Sequence, residues 1–401
     1  MDLRNQKTNF KRGGVSMFIV VIACTLIALM VASFMRITIR DNQNASNQDL
    51  SQSAYDSAQV GVEDAKRFMT KYAAECANGY DMTNQDCVKM ANALAGNSCN
   101  MLHANGAGVI ANATGETKVQ TSTSSKDGEL DQAYTCVKIT RDTADYIGQL
   151  TTGQSKIVPL RGTSGFNQIR LSWHSKEDLT NSDQPISLEN VYSEDAALTT
   201  KEEWGQKINR PTVIKAQYFG YNSGITSLNQ LDDNFSNDGN GLDEQIYYPA
   251  SSNSTFARNR FVLPSSRRTD NSSSTQHLSL VKCSPNLTTQ TYACSTVIYL
   301  GHTVNPSDTA FVRLTPIYKN ANFKVELLDV SGRVVNFNGV QPEVDSTGRA
   351  NDKYRRVQSR VEFVDQNFPV PDFAIQLEDA NQAFCKNFWV TNTRNGNLDC
   401  K

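Results

Sequence analysis

Nine cysteines carry the clearest chemistry in this 401-residue chain. Cys24 stands inside a long apolar run and reads as a small apolar filler. The other eight form an even set of sequence neighbours: Cys76/Cys87, Cys99/Cys136, Cys283/Cys294 and Cys385/Cys400. Eight cysteines allow many connectivities, and these couples are the ones that minimise chain separation. None makes a CxxC and no histidine stands beside them at zinc-ligand spacing. Structural disulfides in an oxidising compartment are the chemistry expected of them.

The second candidate is an acidic stretch, Leu231–Glu244, rich in oxygen donors: Asp232, Asp233, Asp238 and Asp243. Asn234, Ser236 and Asp238 ahead of Gly239 make a degraded calcium loop, an alternation of donors before a turn glycine. Its twelfth position is Gln245, which lacks the bidentate carboxylate. Calcium is the one cofactor this chain suggests, and a solvated acidic turn is the competing reading. The four histidines, His103, His174, His277 and His302, share no motif. There is no GxSxG, HExxH, P-loop or dinucleotide fingerprint, so no enzyme is expected. Trp173 and His174 close a strand-like run, the first expected in the core and the second on the surface. The net charge of −2 carries no nucleic-acid footprint.

The elements that position these residues begin with a stem. Lys11-Arg12-Gly13-Gly14 precedes an apolar run, Val15–Met35, which spans about 31 Å as a helix, the thickness of a bilayer core. Arg4, Lys7, Lys11 and Arg12 outnumber the basic residues that follow, Arg36 and Arg40, so the first residues are expected in the cytoplasm and the rest outside. A cleaved secretory signal would be shorter and end in a small-residue site. Val21-Ile22-Ala23-Cys24 matches a lipoprotein box, but a lipoprotein turns polar after the cysteine and this chain stays apolar. An unprocessed membrane anchor fits the same residues and stays open.

Beyond the stem, Leu50, Ala54, Ala58, Gly61, Ala65, Phe68 and Tyr72 draw one stripe at helical spacing. Gln48, Gln52, Asp56, Gln59, Glu63 and Arg67 stand opposite. No proline interrupts Val15 to Cys76, and the weakest helix formers lie at Asp41–Asn47. A stripe this small permits close approach, by a sheet of the same chain or by a neighbouring helix.

A basic leader ending in glycine, a hydrophobic half-helix and an amphipathic half-helix resemble the N-terminus of a type IV pilin. Met35-Arg36-Ile37-Thr38 followed by Ala54-Tyr55-Asp56-Ser57-Ala58-Gln59-Val60-Gly61-Val62-Glu63-Asp64-Ala65 is most similar to minor pilins of the PilX type. The likeness covers about the first 75 residues. It implies that a prepilin peptidase cuts after Gly14, leaving Val15 as a methylated mature N-terminus. Ile19 then takes the fifth mature position, where major pilins carry a Glu that meets the neighbouring subunit's amine in the apolar filament core. Family members without it tend to be tip or initiation subunits. The pilin helix would include Ile19, Arg36, Arg40 and Glu63. The partners implied are other pilin subunits, the pilus assembly machinery, the membrane, and a host or neighbouring cell surface; the alternative is a non-polymerising adhesin or receptor.

The exported part is rich in Asn, Ser, Thr and Asp, which favour turns and hairpins. Strands are expected at Tyr134–Thr140, Ile157–Leu160, Gln168–His174, Arg210–Tyr218, His277–Cys283, Ala293–Leu300, Ala310–Tyr318, Asn322–Leu328 and Arg356–Phe363, with a helical patch at Val88–Leu94. The fold class expected is α+β, a long N-terminal transmembrane and amphipathic helix carrying a mostly antiparallel β ectodomain with disulfides. The domains expected are a leader (1–14), a transmembrane helix (15–35), its amphipathic extension (36–76), a mixed α/β lobe (77–220), an acidic polar loop region (221–258) and a β-rich C-terminal lobe (259–401).

Overall fold

The computed structural model describes residues 14–76, 85–96, 98–99, 101–103, 109, 115–119, 131–192, 198–221, 241–263 and 278–362. The chain divides into two compact units. Unit 1 comprises Met1–Lys71, Asp81–Lys138 and Asp345–Gln358; unit 2 comprises Tyr72–Tyr80, Ile139–Val344 and Ser359–Lys401. This division differs from the sequence-expected lobes, because one hydrogen-bonded sheet runs through the strands on both sides of residues 221–258.

Unit 1 is built on helix α1, Gly14–Cys76, 63 residues long. A second helix, α2 (Gln85–Gly96), buries Cys87, Met90 and Leu94 along one face. Four strands form its sheet in the order β1 (Thr117–Lys118), β2 (Gln132–Thr140), β14 (Glu343–Ala350), β15 (Lys353–Arg360). β14 alternates without a break, burying Val344, Ser346, Gly348 and Ala350. Its inward side chains are small, so its alternation is one of burial and not of hydrophobicity. Arg349, on the opposite face of β14, bonds Glu116 at 2.8 Å and Asp131 at 2.9 Å. The Cys99–Cys136 disulfide ties β2 to the segment after α2.

Unit 2 is an 11-stranded mixed sheet. Its strands are β3 (Tyr146–Leu150), β4 (Lys156–Pro159), β5 (Phe166–Ser175), β6 (Ile214–Tyr221), β7 (Gly241–Ser251), β8 (Arg260–Val262), β9 (Ser279–Cys283), β10 (Tyr292–Val304), β11 (Thr309–Pro316), β12 (Ala321–Leu328) and β13 (Val334–Val335). The path runs β13-β12-β5-β10-β9-β7-β6-β11-β4, with β3 against β12 and β8 against β10. Most pairs are antiparallel; β7·β9 and β8·β10 are parallel. Beyond the two ends of the path, Gly162 bridges Phe337, Thr163 N–H donates to Asn336 and Asn338 N–H donates to Arg161. The sheet therefore closes on itself, which removes exposed strand edges at that seam.

Period-2 alternation sorts side chains to the two faces. Ile169, Leu171 and Trp173 of β5, Tyr247 of β7 and Phe323, Val325 and Leu327 of β12 join one core. Ile246, Tyr248 and Ala250 of β7 join a second, on the other face, centred on Trp204 of the short helix α3 (Lys201–Gly205). Within the region 221–258 expected as an acidic loop, residues 241–251 are thus strand β7. The Cys283–Cys294 disulfide crosses directly between β9 and β10. Cys76 and Cys87 are also disulfide-bonded.

Candidate functional site: the N-terminal helix

The first half of α1 is apolar and bare. Met17, Phe18, Ile19, Leu26, Leu29, Met30 and Phe34 are all exposed, and none of the most apolar stretch is buried inside the protein. A lone helix in water would not leave so many large apolar side chains unpartnered, whereas a lipid core solvates them. The few hydroxyls in this half turn back on their own backbone. Thr25 donates to the Ile22 carbonyl at 2.8 Å, Ser33 to Leu29 at 2.8 Å and Thr38 to Phe34 at 3.0 Å. Internal satisfaction of this kind is what a hydrocarbon environment demands. The helix is long and apolar enough to cross a membrane once.

The second half is seated on the sheet of unit 1. Ala54, Ser57, Ala58, Gly61, Val62, Ala65, Phe68 and Met69 are buried. The contact is unusually close at two glycines. A Cβ on Gly348 would lie 2.1 Å from the Ala54 carbonyl oxygen and 2.2 Å from the Ala58 nitrogen. A Cβ on Gly61 would lie 2.3 Å from Ser346 Oγ and 2.9 Å from Val137 Cγ2. At the rim, Tyr134 donates to Asp64 at 2.9 Å and Arg355 to Ser51 at 2.7 Å. Burial and the bond to Asp64 both raise the Tyr134 phenol above its ordinary value. Asp41–Asp49 lies between the two halves, helical but exposed throughout.

Gly14 and Val15 are in the first turn of α1, and Ile19, Arg36, Arg40 and Glu63 stand exposed along it. Cys24 is a free thiol on the bare half. Asp232, Asp233, Asp238, Cys385 and Cys400 lie outside the described residues; Asp243 is in β7 and pairs with Tyr218 through the backbone. Among the described residues no group of three metal-ligating side chains comes together.

Two clusters were not apparent in the sequence. His174, expected on the surface, is buried at 3% exposure with a positive φ of 67°. The Asn209–Thr212 segment covers the end of β5 there: Trp173 Nε1 donates to the Thr212 carbonyl at 3.0 Å, and Asn209 bonds the His174 ring from its backbone. Burial lowers the His174 imidazole to about 4, against which the Asn209 bond works and to which the Lys319 charge adds. The second cluster holds the Arg210 guanidinium over the Trp204 ring at 3.5 Å, with Trp204 stacked on Tyr318 at 4.4 Å. Arg210 also donates to Tyr248 and pairs with Glu189, each at 2.9 Å. Every charge in it is partnered and Trp204 is fully enclosed, so it is a core and not an open binding face.

Compared with protein families, curated proteins and solved structures, the chain matches none.

Proposed function

We propose that this chain is a single-pass surface subunit, N-terminus in the cytoplasm, that serves a type IV pilus or related filament as a minor-pilin-like component at its tip or in its initiation. One observation supports this most: a single helix whose apolar half is left bare at membrane length and whose amphipathic half lies on a four-stranded sheet. That half can be stored in a bilayer and later packed among other helices without refolding what lies outside. The disulfides suit an oxidising compartment beyond the membrane. A prepilin peptidase would cut between Gly14 and Val15, and the outer units would carry adhesion or assembly contacts.

Ile19 makes the proposal directional. With no carboxylate to meet a neighbour's amine, an interior filament position would bury an unpaired charge, which costs several kcal/mol. The chain should therefore be sparse and terminal in filaments. Immunogold labelling should mark filament ends, and Ile19→Glu should raise labelling along the shaft. Uniform labelling of wild-type shafts contradicts the tip position. Complete absence from filaments favours a permanently anchored adhesin or receptor.

A further inference from the structure

We infer that residues Ile139–Val344, the largest segment of unit 2, form a domain inserted between β2 and β14, and that unit 1 is structurally complete without them. For this segment the chain leaves unit 1 after Lys138 in β2 and returns at Asp345 in β14; the other parts of unit 2, Tyr72–Tyr80 and Ser359–Lys401, lie outside the segment and stay in the chain when it is removed. These strands are hydrogen-bonded neighbours. Thr135 Oγ1 donates to the Thr347 carbonyl within unit 1; further on, Thr143 Oγ1 donates to the Gln341 carbonyl and Gly339 N–H to Asp142 within unit 2. One segment advances while the other retreats, so the two run antiparallel. Lys138 and Asp345 end the unit 1 portions of these two neighbouring strands, and a two-residue hairpin turn is enough to join antiparallel neighbours.

Each side of the junction holds what it needs. All of the larger core lies between Tyr146 and Val340, and the Phe337 seam and the Cys283–Cys294 bridge are internal to the insert. Unit 1 keeps the helix through Lys71, the greater part of its four strands, the Gly61 and Gly348 contacts, the Arg349 ion pairs and the Cys99–Cys136 bridge on its own residues. Buried residues, a hydrogen-bonded sheet and a covalent staple on each side are the properties of independently folding domains. Combined with the function proposed above, on which this step rests, anchoring and assembly belong to unit 1 and outward display to unit 2.

Calorimetry of the full chain in detergent micelles tests the division. Two unfolding transitions are expected. Phe337→Ala should lower one and Gly348→Ala the other, each by about 4 °C or more, with the second transition unmoved. Arg349→Met replaces Gly348→Ala if that variant does not accumulate. A single transition lowered by substitutions in either unit overturns the inference. A chain with residues 139–344 replaced by Asn-Gly should form the Cys99–Cys136 disulfide and keep slow amide exchange over residues 54–69; losing either also overturns it. None of these readouts involves a filament. If they succeed while neither chain enters pili, the functional proposal fails and the insertion stands.

Discussion

Gly348→Ala is the sharpest test of how α1 is held. The added methyl carbon would sit 2.1 Å from the Ala54 oxygen, 2.2 Å from the Ala58 nitrogen and 2.8 Å from the Ser57 carbonyl carbon. All three are helix backbone atoms, which no rotamer change can move. Ordinary contact is about 3.5 Å, so the helix must retreat by more than 1 Å. Retreat loosens the buried row from Ala54 to Met69 along its length. Overpacking a well-filled contact costs about 1–3 kcal/mol, and the rigid backbone neighbours put this case at the upper end, about 3 kcal/mol. Gly61→Ala is the internal control. Its closest neighbour is Ser346 Oγ, a buried hydroxyl with no hydrogen-bond partner among the described residues. Removing that hydroxyl as well, in Gly61→Ala with Ser346→Ala, relieves the tightest clash and adds helix propensity of about 1 kcal/mol. Val137 at 2.9 Å still has to shift, so the double variant should come within about 1 kcal/mol of wild type. Urea titration of the full chain, followed by amide exchange within α1, reads both. Equal stability of Gly348→Ala and wild type would refute the close helix–sheet contact.

His174 makes stability depend on pH. Its folded value, about 4, is depressed below the ordinary 6.5, so the unfolded chain binds the extra proton between those values. The stabilisation is complete above pH 6.5 and fades toward pH 4, by about 3 kcal/mol in all. His302 is lowered in the same sense, while burial raises Asp178 and opposes them at the acidic end. Denaturant midpoints across pH 4–7 should fall with acid, and His174→Asn, which tolerates the positive φ, should flatten the slope; an unchanged slope argues against a buried neutral ring. Arg349→Ala should destabilise unit 1 by about 2–3 kcal/mol by removing the charge-assisted bonds to Glu116 and Asp131, measured by its unfolding transition. Asp41–Asp49, exposed and rich in poor helix formers, should exchange its amides far faster than residues 54–69; equal protection would indicate packing from another molecule.

The sequence showed the stem, the stripe and most long strands because their burial coincides with apolar residue type. Gln168–His174, Asn322–Leu328 and Ala293–Leu300 lie inside β5, β12 and β10. Strand β14 went unseen because its inward face is Val344, Ser346, Gly348 and Ala350, selected by the nearness of a helix and carrying little apolar signal. Strand β7 went unseen altogether, because its opening residues, Gly241-Leu242-Asp243-Glu244, resemble a polar turn. Arg210–Val213 was expected as strand, but Arg210 is held on Trp204 and regular pairing begins at Ile214. His174 was misjudged for a related reason: alternation assigns a face, and only the fold decides whether that face is covered. The Cys99–Cys136 and Cys283–Cys294 disulfides join the sequence neighbours expected to pair. The closure at Phe337 and the insertion between β2 and β14 depend on pairings more than 150 residues apart, which local pattern cannot reveal.

Mass spectrometry of sheared, purified filaments from cells expressing the chain tests the central claim most directly. The expected result is this protein present at far below the level of the main subunit, with Val15 as its first residue. Filaments that lack it, while the membrane fraction holds a chain still beginning at Met1, would contradict that claim.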